Sequence, residues 1–192
     1  MSMNDLRAAS VANRIAPIES HLVAPFCLVL LAASCALASF ALACATPFAA
    51  FAVIAAAMLP LPSALIVVGA AWIVNQAIGF GWLHYPIDPS TIAWGFVIGL
   101  AALAATLASA IVLRVLSRTA TPIVLAAAFF GAYGTYELAL FAATPVLGGS
   151  GSFTAAIVGR LGLLNAVWLI GLVGVCEIIR YLNPMRSGRV VS

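Results

Sequence analysis

The run LVLLAASCALASFALACA, Leu28 to Ala45, and the run IGLAALAATLASAIVL, Ile98 to Leu113, contain no charged residue and no strict alternation of apolar and polar positions. In lipid, backbone N–H and C=O groups must be satisfied inside a helix or a closed barrel. Barrel strands alternate apolar and polar side chains along the chain. Continuous apolar runs of this length therefore decide for helices. The rest of the chain has the same character. It has 192 residues, 65% of them hydrophobic and 7% charged, where an average soluble domain is roughly 45–50% apolar and about 25% charged. So few charges cannot cover a water-soluble fold. The reading is an all-α integral membrane protein with one transmembrane domain over residues 22–182, a polar segment 1–21 before it and a short tail 183–192 after it.

A span needs roughly 20 apolar residues. The candidate spans are 22–45, 47–60, 62–83, 90–113, 121–144 and 153–181. Residues 1–20 carry Arg7 and Arg14 and look like the basic start of a signal peptide, but the apolar run beyond His21 is too long for a signal core, which makes it the first span. The second candidate is short, and Pro60 and Pro62 bracket the break that follows it, since proline ends or kinks a helix. Its alternatives are one long kinked helix or a re-entrant segment across 47–83. The arginines arbitrate. Arg7 and Arg14 precede the first span, Arg114 and Arg118 lie between the fourth and fifth, and Arg180, Arg186 and Arg189 lie at the end of the sixth. The positive-inside rule assigns all three regions to the cytoplasm. Six spans put them on one side and five cannot, so the expected protein has six spans, cytoplasmic termini, and a place in the plasma (inner) membrane.

The net charge is +3, and every basic residue is arginine. Without lysine there is no amine for Schiff-base chemistry. The arginines sit at membrane edges and form no basic stripe for nucleic acid. Cys27, Cys35, Cys44 and Cys176 form no CxxC pair and read as small packing residues. His21 and His84 fall at opposite ends of their spans and cannot share one haem. No zinc spacing, Walker A, GxSxG or HExxH motif is present. No cofactor and no enzymatic activity are expected; Glu137 with Tyr133 is the only pair on which an acid–base enzyme reading could rest.

Polar groups inside a membrane are costly, so each needs a partner or a task. Placed by depth at about 1.5 Å per residue, Asn75, Gln76, Trp94, Tyr133, Tyr136, Glu137 and Arg160 share the outer side, with Asn165 nearer mid-membrane as a further candidate. Glu137 and Arg160 fall at similar depth on helices joined by a short loop, and are expected to form an ion pair. A mostly apolar and aromatic lining with a few polar groups is the form of a small-molecule site; helix-to-helix hydrogen bonding with an interfacial aromatic belt accounts for the same residues. Trp82 and Tyr85 read as belt residues, and Glu177 pairs with Arg180. Small residues, notably the alanines of the first two segments and Gly95 with Gly99 in GxxxG spacing, let helices approach closely. They serve internal packing or the docking of another membrane subunit.

In size, six spans, an Ala-rich first span and outer polar and aromatic residues on the later spans, the chain resembles the substrate-binding (S) components of energy-coupling factor vitamin transporters. That resemblance is architectural and covers the whole chain. It implies capture of a vitamin or metal from outside. It also implies docking, through small residues of the first span such as Ala32 and Ala36, onto a transmembrane coupling subunit driven by ATPases. The second reading is a non-catalytic accessory or assembly subunit of a larger membrane complex.

Overall fold

The computed structural model describes residues 15–42 and 45–182. Every regular element in it is a helix: α1 (Val23–Leu42), α2 (Phe48–Met58), α3 (Leu61–Gly81), α4 (Pro89–Val115), α5 (Thr121–Leu147) and α6 (Ala155–Leu182), with a single 3₁₀ turn, Ser150–Ser152, before α6. The helices begin and end within three residues of the boundaries expected from the apolar runs. Five of them are long and apolar enough to cross a membrane, which makes this a multi-pass helical membrane protein. Arg7, Arg14, Cys44, Arg186 and Arg189 lie outside the described residues.

Helix α2 departs from the simple picture of a second span. Its 11 residues rise about 16 Å, short of a ~30 Å hydrocarbon core. All of them are buried. A helix apolar on every side belongs in the middle of a bundle, and α2 packs against each of the other five helices. Its sequence, FAAFAVIAAAM, explains how. The alanines let neighbouring backbones come close, while Phe48, Phe51 and Ile54, all fully buried, fill the space between. The alanine-rich stretch is thus spent on internal packing. The non-helical chain on either side of α2 is largely covered by protein, with Thr46, Pro47 and Leu59 buried and Pro60 exposed.

The direction of each helix follows from which residues meet. Cys35 Sγ reaches the carbonyl of Ala71, and Asn75 reaches Ser39; both pairs are separated by 36 residues, so α1 and α3 run parallel. The chain between them must return, and α2 with its extended leads makes that return. Trp72 lies against Gly99 and Gln76 against Gly95, so α3 and α4 are antiparallel. Tyr133 meets Val158 and Phe141 meets Phe153, so α5 and α6 are antiparallel as well. One end of the bundle therefore collects the start of α1, the end of α6, Arg114, Arg118 and Arg180. The other collects the turns at 82–88 and 148–154.

Local chemistry sets the helix ends. Asp88 caps α4, accepting from the amides of Ser90 and Thr91 at 2.9 and 3.0 Å and from the Thr91 hydroxyl at 2.7 Å, with Pro89 supplying a first residue that needs no partner. Near the end of α5, Pro145 lacks the N–H that would bond Phe141, and the Thr144 hydroxyl donates to that carbonyl instead. Gly148 and Gly149, at φ 79° and 87°, turn the chain toward α6 through a region that other residues enter only with strain.

The Asp88 cap makes a pH prediction. The Thr91 hydroxyl, and then the Thr91 and Ser90 amides, hold its carboxyl below the usual carboxylate range. Because the folded value lies below the unfolded one, the stabilisation is complete above the ordinary value of about 3.9 and is lost as pH falls through the lowered value. Asp88→Ala should unfold at lower temperature than the wild type at neutral pH, and the two melting curves should converge in acid. A gap that stays constant with pH would show that the carboxylate is not the stabilising group.

Candidate functional site

A cavity of about 330 Å³ opens between α4, α5 and α6 at the end of the bundle away from Arg114 and Arg180. Its wall is formed by Ala45 and Thr46 on the lead into α2, Trp94 and Ile98 on α4, Tyr136, Glu137 and Leu140 on α5, and Ile157, Leu161 and Asn165 on α6. Gly149, Ser152 and Phe153 of the turn before α6 border it. Four residues singled out in the sequence, Trp94, Tyr136, Glu137 and Asn165, therefore meet on one wall.

The cavity exists because α6 rests chiefly on α2 and touches α5 little. Tyr133 acts as a strut between the two. Its ring lies so close to Gly162 that a Cβ there would sit 3.0 Å from it, and its hydroxyl donates to the Val158 carbonyl. Its other face stacks on Phe129, with ring centres 5.9 Å apart. Tyr133 thus holds α5 and α6 a ring's width apart beside the cavity wall.

Asn165 has a second task. The first amides of a helix have no partner within it, and Pro47, at the cap position of α2, offers no side-chain acceptor. Asn165 Oδ1, reaching across from α6, accepts from the Ala50 amide at 3.3 Å, while its Nδ2 donates to the Leu161 carbonyl at 3.0 Å. The Phe48 amide bonds the Thr46 carbonyl and the Phe51 amide the Pro47 carbonyl. The start of α2 is therefore largely satisfied from within the protein.

The remaining residues of the expected set lie elsewhere. Asn75 donates to both Ser39 and Thr46 at 2.9 Å, and Gln76 donates to the Asn75 Oδ1 at 3.1 Å. That network ties α1, the extended lead into α2, and α3 together. It touches the cavity only through Thr46. The expected Glu137–Arg160 ion pair is not formed: Glu137 faces the cavity beside the Tyr133 hydroxyl, and Arg160 lines an adjoining groove between α1 and α6 with Phe40 and Leu42, which shares Ala45, Ile157 and Leu161 with the cavity wall. The reason is helical phase. The buried positions Asn165, Leu169, Leu172 and Cys176 face the bundle and fix the rotation of α6. Arg160 precedes Asn165 by five positions, which at 3.6 residues per turn points it well away from that face. Near the end of its helix, its long side chain can reach the headgroup layer. Glu177 and Arg180 do pair, as expected.

The small residues are also resolved by their neighbours. Gly95 and Gly99 are buried, and receive Gln76 and the Trp72 indole of α3 rather than a second protein. Ala32 and Ala36 are half-buried at the border of the α1–α3 contact, with Val29, Ala33 and Leu37 exposed beside them. Tyr85 folds back over Gly79 and against Phe80, whereas Trp82 is exposed and meets Phe40 edge-on. Among residues that sequence reasoning passed over, Thr46 and Phe153 complete the wall. A threonine beside a proline inside an alanine-rich stretch was the only available hint of the first. No protein-family model, curated protein or solved structure matches this chain.

Proposed function

We propose that this protein crosses the membrane six times with both termini in the cytoplasm, and that it captures a small organic nutrient in the cavity between α4, α5 and α6 for uptake. The observation that carries the reading is the convergence of Trp94, Tyr136, Glu137 and Asn165, from three helices, on one mostly apolar cavity. A few convergent polar groups in an apolar cavity are what orient a small ligand, and a volume of about 330 Å³ lies at the compact end of ligand sites. The parallel run of α1 and α3 supports the even number of crossings, since α2 and its leads carry the chain back. With Arg114, Arg118 and Arg180 at the opposite end, the positive-inside rule turns the cavity outward. The protein would then act as the capturing subunit of an uptake system resembling the S components, with a transmembrane coupling subunit and its ATPases as partner. The half-buried Ala32 and Ala36 on α1 are its proposed contact.

Leu161→Trp tests the site directly, because it fills the cavity from α6 and leaves the Asn165 bonds intact. Native mass spectrometry of the wild type, purified in mild detergent, should show a retained small molecule, and Leu161→Trp, eluting as the same monodisperse species, should lose it. A wild type that binds nothing across a panel of vitamins and amines, or a variant that retains the molecule equally well, would refute the proposal.

A further inference from the structure

The wall of the cavity offers charge of one sign only. Among the side chains that form it there is one carboxyl group, Glu137, and no arginine, lysine or histidine. Arg160, which would have balanced it, lines the adjoining groove between α1 and α6 and is not among the residues of the cavity wall. The start of α2 would favour an anion through its helix dipole, but three of its amides are already taken, by Asn165 and by the Thr46 and Pro47 carbonyls. The Asn165 side chain is committed at both ends. The aromatic rings of Trp94, Tyr136 and Phe153 line the same cavity as Glu137. The Phe153 ring is held edge-on against Phe141, with centres 5.3 Å apart.

A carboxyl group and aromatic rings lining one mostly apolar cavity are complementary to a positive charge. The carboxylate pairs with the cation, and the ring faces attract it through their quadrupoles. An anion entering the same space would lose its hydration and meet no opposite charge on the wall. Building on the proposed nutrient site, we infer that its ligand is a compact organic cation: a protonated amine or quaternary ammonium on an apolar or aromatic body, its charge at Glu137 and its body against Trp94 and Phe153.

Three probes of one shape test this: phenethylamine, 2-phenylethanol and 3-phenylpropionate, titrated calorimetrically into the full-length protein in detergent at neutral pH. The amine should bind roughly 10- to 100-fold more tightly than the alcohol, as expected for a hydrogen bond to a charged group, and the acid should show no saturable binding. Glu137→Gln should bring the amine-to-alcohol ratio close to one. Binding of the acid as tightly as the amine, an unchanged ratio in Glu137→Gln, or no saturable binding of any probe would overturn the inference. The two proposals fail separately. If Leu161→Trp abolishes retention of the native molecule while amine preference is absent, the cavity stands and the cation does not. If Leu161→Trp leaves amine binding intact, the cavity is not the site.

Discussion

Replacing Gly99 by leucine should abolish the native fold, and replacing it by alanine should destabilise the protein by about 1–3 kcal/mol. A Cβ at Gly99 would lie 2.7 Å from the Trp72 ring and 2.9 Å from its nitrogen. The indole has little freedom to retreat. Its N–H donates to the Gly95 carbonyl at 2.9 Å, and its ring centre lies 6.0 Å from that of Phe96. Displacing it would forfeit a hydrogen bond worth about 1 kcal/mol and separate α3 from α4. Against a total stability of about 5–15 kcal/mol, the alanine variant is tolerable and the leucine variant is not. Gly174→Ala on α6 is the control: a Cβ there meets nothing within 4 Å, and alanine is the better helix former by about 0.5–1 kcal/mol. Detergent-induced unfolding followed by circular dichroism separates the two. Equal stability of Gly99→Ala and Gly174→Ala would mean that the α3–α4 contact is looser than the structure has it.

The second large effect is expected at Asn165. Leucine has the same branching and number of heavy atoms and leaves no cavity, so Asn165→Leu removes the hydrogen bond without opening a void. It deprives the Ala50 amide of its acceptor at the buried start of α2. An orphaned buried donor costs about 1–3 kcal/mol, and every residue of α2 is buried. The damage should be local as well as global. Hydrogen exchange at the first turn of α2 should accelerate more than at its middle, where Ile54 and Ala55 are fully buried. A variant as stable as the wild type would show that the Ala50 amide finds another acceptor. Because Asn165 also lines the cavity, its loss should disturb ligand binding, which is why the binding test relies on Leu161 and Glu137 instead.

Helix identity and direction were legible in the chain because they depend on one-dimensional features. Uninterrupted apolar runs, prolines at their edges and arginines at alternate ends determine where helices start, where they stop and which ends face the same way. Depth was read from counting residues at a known rise, and Trp94, Tyr136, Glu137 and Asn165, grouped on that basis, line one cavity. Azimuth was not. Which way a residue faces around its helix depends on what the helix packs against, and in an almost wholly apolar chain the hydrophobic pattern does not mark one face from another. Only the packed bundle decides that Arg160 turns from Glu137, that Asn75 and Gln76 tie α1 to α3, and that the glycines of α4 receive α3 side chains. It also decides the place of the Phe48–Met58 helix. The sequence marks that segment as short and apolar, but burial on every side arises only when five longer helices close around it, leaving beside it the gap that forms the candidate site.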